Sequence, residues 1–233
     1  MHVVGESMDD ICRQLCGKIS VQGHEAAGTE EMPDSGSTLP DITYDIATAG
    51  TGHSLPYMLG GLAWYLTGRE DVEFISKFSS FWERIGDDGA TDRSAYDAIV
   101  FNRYGFDQVA QAIDTLKRDC AGIMRSNDVW LGTPYDVAFF TELQKHIANR
   151  LGVAYGKYTH FAVSLHAYAE DIDRVRDVWC RKHEAPHLKL DIEKFLAHIS
   201  EIERIAMSSD TPRPAVSEYC LDNAIVTEVN DEN

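Results

Sequence analysis

RSNDVWLGTPYD (residues 125–136), TELQKHIANRLG (141–152) and YTHFAVSLHAY (158–168) follow one another closely along the chain, and their reading decides the fold. The first continues a short apolar run, Cys120 to Met124, that reads as a strand, and it turns at Leu131-Gly132-Thr133-Pro134 into a helix. Val137, Phe140, Leu143, Ile147 and Leu151 then recur at helical spacing until Gly152 stops the helix. From Thr159 the period changes to two, with Phe161, Val163 and Leu165 facing one way and His160, Ser164 and His166 the other. Such a strand packs one face and presents the other.

Outward from this stretch the chain alternates helices with polar breaks. Ser7, with Asp10 three positions on, starts a helix whose inner face is Met8, Ile11, Cys12, Leu15 and Ile19. GHEAAGTEEMPDSGSTLP (23–40) is polar and rich in Gly, Ser, Pro and acid, the composition of a solvated loop. Ile42 to Ala47 reads as a short strand. Ser54-Leu55-Pro56 opens a helix through Trp64 that Gly68 ends, and a second helix from about Glu70 carries Phe74, Ile75, Phe78, Trp82 and Ile85 inward. After the turn GDDGATD (86–92), a third helix follows Tyr104-Gly105-Phe106-Asp107, and Asp191 caps a last one bearing Ile192, Phe195, Leu196, Ile199 and Ile202. The expected organisation is one domain over residues 1–206 and an acidic, loosely ordered tail over 207–233, with a short strand around Ala224 to Val226.

The chain has 233 residues, 44% of them hydrophobic, enough for one sizeable core. A net charge of −17 opposes binding to nucleic acid or an acidic membrane surface, because polyphosphates need a basic footprint. A single phosphate remains open, since one or two arginines neutralise it locally. MHVVGESMDD has no basic region followed by an apolar run, and no segment reaches membrane-spanning length, so the expected location is cytoplasmic. Five scattered cysteines, Cys12, Cys16, Cys120, Cys180 and Cys220, read as reduced thiols. Neither the Cys12/Cys16 pair nor Cys180-x-x-His183 has the second pair a metal site needs, so no metal is expected.

Arg125 and Ser126, at the end of a strand, offer a planar guanidinium and a hydroxyl to a phosphate monoester, although an Arg-Ser pair alone is also an ordinary turn feature. The order Arg125-Ser126, Asp128, Leu131-Gly132, Pro134, then His166-Ala167-Tyr168 resembles the nucleotide-binding core of the thymidylate synthase family, which includes the cytidylate hydroxymethylases. GLAWYLTG (61–68) and FDQVAQAIDTLKRD (106–119) are similar to two further blocks of that family, and the likeness is clearest over 53–175. The resemblance implies an α/β (α+β) fold with a mixed, mainly antiparallel sheet flanked by helices, in a homodimer or a heterodimer with a family member. It implies a pyrimidine nucleoside monophosphate as ligand and 5,10-methylenetetrahydrofolate as cofactor for C5 methyl or hydroxymethyl transfer. Arg125 and Ser126 would hold the phosphate, His166 and Tyr168 the sugar hydroxyl, and Asn127 would belong to the same segment. Asp128 would help order the pterin and base side. Asp136 stands where an Asn reads uracil; a carboxylate accepts from the exocyclic amine of cytosine instead, unless it serves only to cap the following helix.

Three departures accompany this likeness. Attack at C6 requires a thiolate, which the family keeps in a Pro-Cys motif some twenty residues before the Arg; here Lys117-Arg118-Asp119 runs directly into Cys120, whose offset from Arg125 fits a different position. Gly61 replaces a catalytic Glu, so catalytic residues cannot be assigned. Tyr96-Asp97-Ala98-Ile99, ITYDIATAG (42–50) and the polar ending VNDEN lack the arginines and apolar lid that relatives carry. Three readings follow: a folate-dependent transferase favouring cytidylate over uridylate, a catalytically inactive paralogue acting as a nucleotide-binding or heterodimer subunit, or an internally deleted enzyme.

Overall fold

The computed structural model describes residues 2–5, 7–26, 29–39, 54–85, 120–180 and 187–229. The expected third helix, the Tyr96–Ile99 region and the 42–50 segment lie outside them.

A mixed sheet is built around β5 (Tyr158–Tyr168), which pairs antiparallel with β3 (Thr29–Leu39) along one edge and parallel with β4 (Cys120–Asp128) along the other. On the far edge of β3, β1 (His2–Val4) pairs parallel with 36–38 and β2 (His24–Ala26) pairs antiparallel with 29–31. A second, two-stranded antiparallel sheet joins β6 (His187–Leu190) to β7 (Val226–Val229). Within the five-stranded sheet two of the four pairings are antiparallel and two parallel, so it is mixed, as expected, but not mainly antiparallel among the described residues.

Two expectations are corrected here. Residues 23–40 are not a loop: β2 and the 11-residue β3 occupy most of them. β1 and β2 pair with the two ends of β3 and leave Met32–Ser35, with Pro33 among them, without a described partner on that side. Nor is 207–233 loosely ordered through its described part. Pro212–Asp222 forms a helix that buries Val216 and Cys220, and β7 follows it.

The helix starts follow capping chemistry. Ser7 accepts the Asp10 amide at the head of α1 (Met8–Gln22), Ser54 accepts that of Tyr57 at α2 (Leu55–Leu66), and Asp71 accepts that of Phe74 at α3 (Val72–Ser76). The single helix expected from Glu70 through Ile85 is two short ones, α3 and α4 (Phe81–Ile85). α5 (Thr133–Leu151) ends at Gly152, whose φ of 66° is left-handed and suits glycine. A 3-10 turn leads into α6 (Ile172–Cys180), Asp191 caps α7 (Ile192–Ser208), and α8 is Pro212–Asp222.

Two apolar clusters result. One lies between the sheet and helices α1 and α6, where Ile11, Leu15 and Ile19 meet Tyr158, Leu165 and Val175. The other surrounds α2, where Leu59, Trp64, Phe74 and Phe78 meet Phe195, Ile202 and Ile225. α5 touches both, through Val137 on one side and Ala138 and Phe139 on the other. It is therefore buried on more of its circumference than a single apolar stripe provides, and Asp136, Glu142 and Lys145 are buried along it. Among the described residues no helix is long and apolar enough to cross a membrane.

Candidate functional site

Between α2, the end of β4 and the start of α5 lies a cavity of about 430 Å³. Arg125, Ser126, Asn127, Asp128, Asp136, His166 and Tyr168 all line it. They converge because β4 and β5 run parallel in register, Ser126 opposite Ser164 and Asp128 opposite His166, and because the turn after β4 brings α5 back over the strand ends.

Each polar side chain is fixed by its neighbours. Ser126 Oγ lies 3.1 Å from His166 Nδ1, and the His166 ring meets Tyr168 edge-on at 5.1 Å between centroids. Asp128 accepts the Trp130 and Leu131 amides at 3.1 and 2.7 Å, closing the turn that ends in Gly132. A Cβ at Gly132 would sit 2.8 Å from the Asp128 carbonyl oxygen, so the family-like Leu-Gly is a packing requirement. Burial pushes the Asp128 carboxyl up to about 6, with Asp171 and Asp136 adding to the rise and the two amides opposing it.

Asp136 is not a helix cap. Gly132 is the N-cap of α5, with no side-chain cap bond, and Asp136 Oδ2 instead accepts the Asn127 Nδ2–H group at 2.6 Å. Behind Asn127 the polar chain continues into the core, with His160 Nε2 3.3 Å from Asn127 Oδ1 and the Tyr158 hydroxyl 2.9 Å from His160 Nδ1. The Thr133 hydroxyl also donates to Asn127 Oδ1. This corrects the alternation expected for β5. His160 is buried, not presented with His166, because the burial pattern changes phase along the strand: even positions are inward from Tyr158 to Ala162, odd ones at Leu165 and Ala167. Burial holds the His160 imidazole down at about 4, so it is neutral at physiological pH.

The wall opposite the strand ends is aromatic. Tyr57 and Tyr135 meet edge-on at 4.5 Å, and the Trp82 indole donates to the Tyr57 hydroxyl at 2.9 Å. Glu142 also lines the cavity, 1% exposed, with Oε1 accepting Lys145 Nζ at 2.6 Å and Oε2 without a hydrogen-bond partner among the described residues. Burial raises its carboxyl despite the lysine. Sequence reasoning missed Glu142, Tyr57 and Trp82; two opposite charges three apart, Glu142 and Lys145, beside an apolar stripe were the available signal.

Gly61 also lines the cavity, and a Cβ there would meet nothing within 4 Å. Cys12, Cys16, Cys180 and Cys220 do not line it: Cys12, Cys16 and Cys220 are buried, and Cys180 is exposed. Burial pushes the Cys16 thiol up to about 12, which leaves it inert as a nucleophile. No cluster of three metal-ligating side chains occurs among the described residues.

Comparison with known proteins shows what this chain is similar to. The thymidylate synthase family model matches residues 117–220, which hold β4, α5 and β5. The thymidylate synthase of Listeria monocytogenes serotype 4a (strain HCC23) is 28% identical over 101 residues, and that of Listeria innocua serovar 6a is 29% identical over the same length. The thermostable thymidylate synthase A from Bacillus subtilis superposes with a TM-score of 0.60 over 79% of this chain and 88% of that one, at 20% identity. The chain shares its fold with that thymidylate synthase and is similar in sequence to thymidylate synthases over 117–220. The Listeria matches cover 43% of this chain, and it spans about a third (32%) of the length of those relatives. The matched block holds Arg125 to Asp128, Asp136, Glu142, His166 and Tyr168 of the cavity lining, and His160 behind Asn127.

Proposed function

We propose that this chain is a member of the thymidylate synthase family, binds a pyrimidine nucleoside monophosphate in the cavity and favours cytidylate over uridylate. The observation that carries the reading is the convergence of Arg125, Asp136 and His166 on one cavity. Its 430 Å³ falls within the few hundred Å³ typical of small-molecule sites. Arg125 and Ser126 receive the phosphate, His166 and Tyr168 the sugar. Asp136, buried and bonded to a neutral amide donor, is an acceptor suited to the amine of cytosine and unsuited to the carbonyl of uracil. As a family transferase the chain would use a methylenetetrahydrofolate to deliver a one-carbon unit to C5, in a homodimer or with a related subunit, in the cytoplasm. The aromatic wall of Tyr57, Tyr135 and Trp82 is a surface for a flat ring, but one-carbon transfer at C5 also requires a thiolate at C6.

A second reading is favoured by one observation: position 61, on the cavity wall, carries no carboxylate, and Cys12, Cys16, Cys180 and Cys220 lie away from the cavity. On that reading the chain keeps the nucleotide pocket and serves as a binding or heterodimer subunit. Calorimetry with cytidine and uridine monophosphates, ribo and deoxy, tests the shared part. We expect cytidylate to bind about tenfold or more tightly than uridylate, the value of one good base contact, and no binding of either would overturn the nucleotide reading. Intact mass after incubation with a 5-fluoropyrimidine nucleotide and methylenetetrahydrofolate separates the two: a covalent adduct supports the transferase, its absence the inactive subunit.

A further inference from the structure

The hydrogen bonds behind Asp136 have a direction, and the direction has a consequence for the ligand. Asp136 Oδ2 lies 2.6 Å from the Asn127 amide, and a carboxylate can only accept, so Asn127 must turn its NH2 toward it. That orientation aims Asn127 Oδ1, an acceptor, at His160 Nε2 3.3 Å away and at the Thr133 hydroxyl. His160 must then carry its proton on Nε2. Its Nδ1 becomes the lone pair that receives the Tyr158 hydroxyl at 2.9 Å. Every donor in the row points the same way: Tyr158 to His160, His160 to Asn127, Asn127 to Asp136. Tyr158, His160 and Asn127 are 1%, 3% and 4% exposed, so water does not substitute for any of these partners.

We propose that Asn127, locked in orientation by His160 and Thr133, is a positioning residue whose amide favours Asp136 as an acceptor and thereby sets the preference for a base bearing an exocyclic amine. This rests on the nucleotide reading of the cavity and deepens it. One amide bond occupies part of the acceptor capacity of a carboxylate, which has about four lone-pair sites, and the rest of that capacity is of acceptor type as well. Burial of His160 strengthens the device, because a neutral imidazole has only one N–H to place and the row dictates where. Changing one link changes what Asp136 offers. Asn127→Asp would set two carboxyls side by side at hydrogen-bond distance, where they share one proton, and Asp136 would no longer be held as an ionised acceptor by an amide donor.

Two measurements on the full chain test this. In the ligand-free protein, two-bond nitrogen–carbon correlations with labelled histidine, His160 being assigned by its loss in His160→Gln, are expected to show the proton on Nε2. A proton on Nδ1, or a mixture of the two tautomers, overturns the directed row whatever the cavity binds. Calorimetry then compares cytidine and uridine monophosphates on the wild type and on the isosteric Asn127→Asp. The wild-type preference for cytidylate, about tenfold, is expected to be abolished or reversed in the variant. A variant that binds both nucleotides more weakly with an unchanged ratio has lost only structure, and that result overturns the proposal. Binding of neither nucleotide by the wild type overturns the nucleotide reading, and the selectivity role with it, while the tautomer result decides the row independently. If Asn127→Asp does not fold, the tautomer in the wild type remains decisive.

Discussion

At the scale of single residues, the chemistry turns on groups whose charge is set by burial. Asp128 and His160 are displaced in opposite senses over the same range of pH. The folded-state pKa of Asp128 is raised to about 6, so its contribution is most favourable below the unfolded value near 3.8 and is lost as pH rises through 6. His160 is lowered to about 4, so its contribution is full above about 6.5 and is lost as pH falls toward 4. Each displacement is roughly two units, about 3 kcal/mol at most, and the two slopes nearly cancel in the wild type. Guanidinium melts between pH 4 and 6.5 should show stability rising with pH in Asp128→Asn and falling with pH in His160→Gln; parallel slopes in the two variants would contradict these environments. That Arg125, Ser126, Asp128, Asp136 and His166 line one cavity was legible in the sequence through the resemblance of their order to a known motif, not through residue type alone. The role of His160 was not: an alternating strand gives no sign that its burial changes phase half-way along, as β5 does.

At the scale of elements, α2 and α5 form the cavity wall, and each carries a test. Gly60 and Gly61 are neighbours on α2 with opposite surroundings. A Cβ at Gly60 would lie 2.4 Å from the Phe78 ring, whereas one at Gly61 meets nothing within 4 Å. Gly61→Ala should therefore stabilise the protein by about 0.5–1 kcal/mol, by removing glycine from a helix interior, and Gly60→Ala should destabilise it by about 1–3 kcal/mol through overpacking; thermal melts that reverse this order would refute the packing. On α5 the Glu142–Lys145 pair is buried, with side chains 1% and 4% exposed. Lys145→Met alone leaves a stranded carboxylate and should cost about 3–5 kcal/mol. Adding Glu142→Leu should recover most of that in a denaturant melt, and a double variant no better than the single one would show that the charge pair is not the cause. The boundaries of α1, α5 and α7 were readable from Ser7, Gly152 and Asp191, since caps are local chemistry. β3 was not, because Pro33, Asp34, Ser35 and Gly36 compose a loop by local preference. They sit in a strand only because β5 supplies a partner more than a hundred residues away.

At the scale of the whole molecule, a strongly acidic chain surrounds a cavity whose lining holds Arg125 together with Asp128, Asp136 and Glu142. Such a balance suits a ligand with one anionic end and an amine-bearing ring, each met by its own partner, and disfavours polyphosphates. The frame of the site was legible in the sequence because the strand, turn, helix and strand that build it are nearly contiguous. The inner reach of the cavity was not, since it exists only where α2 packs across α5. The most direct test of the account is a crystal structure of the full chain with cytidine or deoxycytidine 5′-monophosphate. The account predicts the phosphate within hydrogen-bonding distance of Arg125 and Ser126 and the base amine on Asp136; a nucleotide bound elsewhere, or one with its base turned away from Asp136, would contradict it.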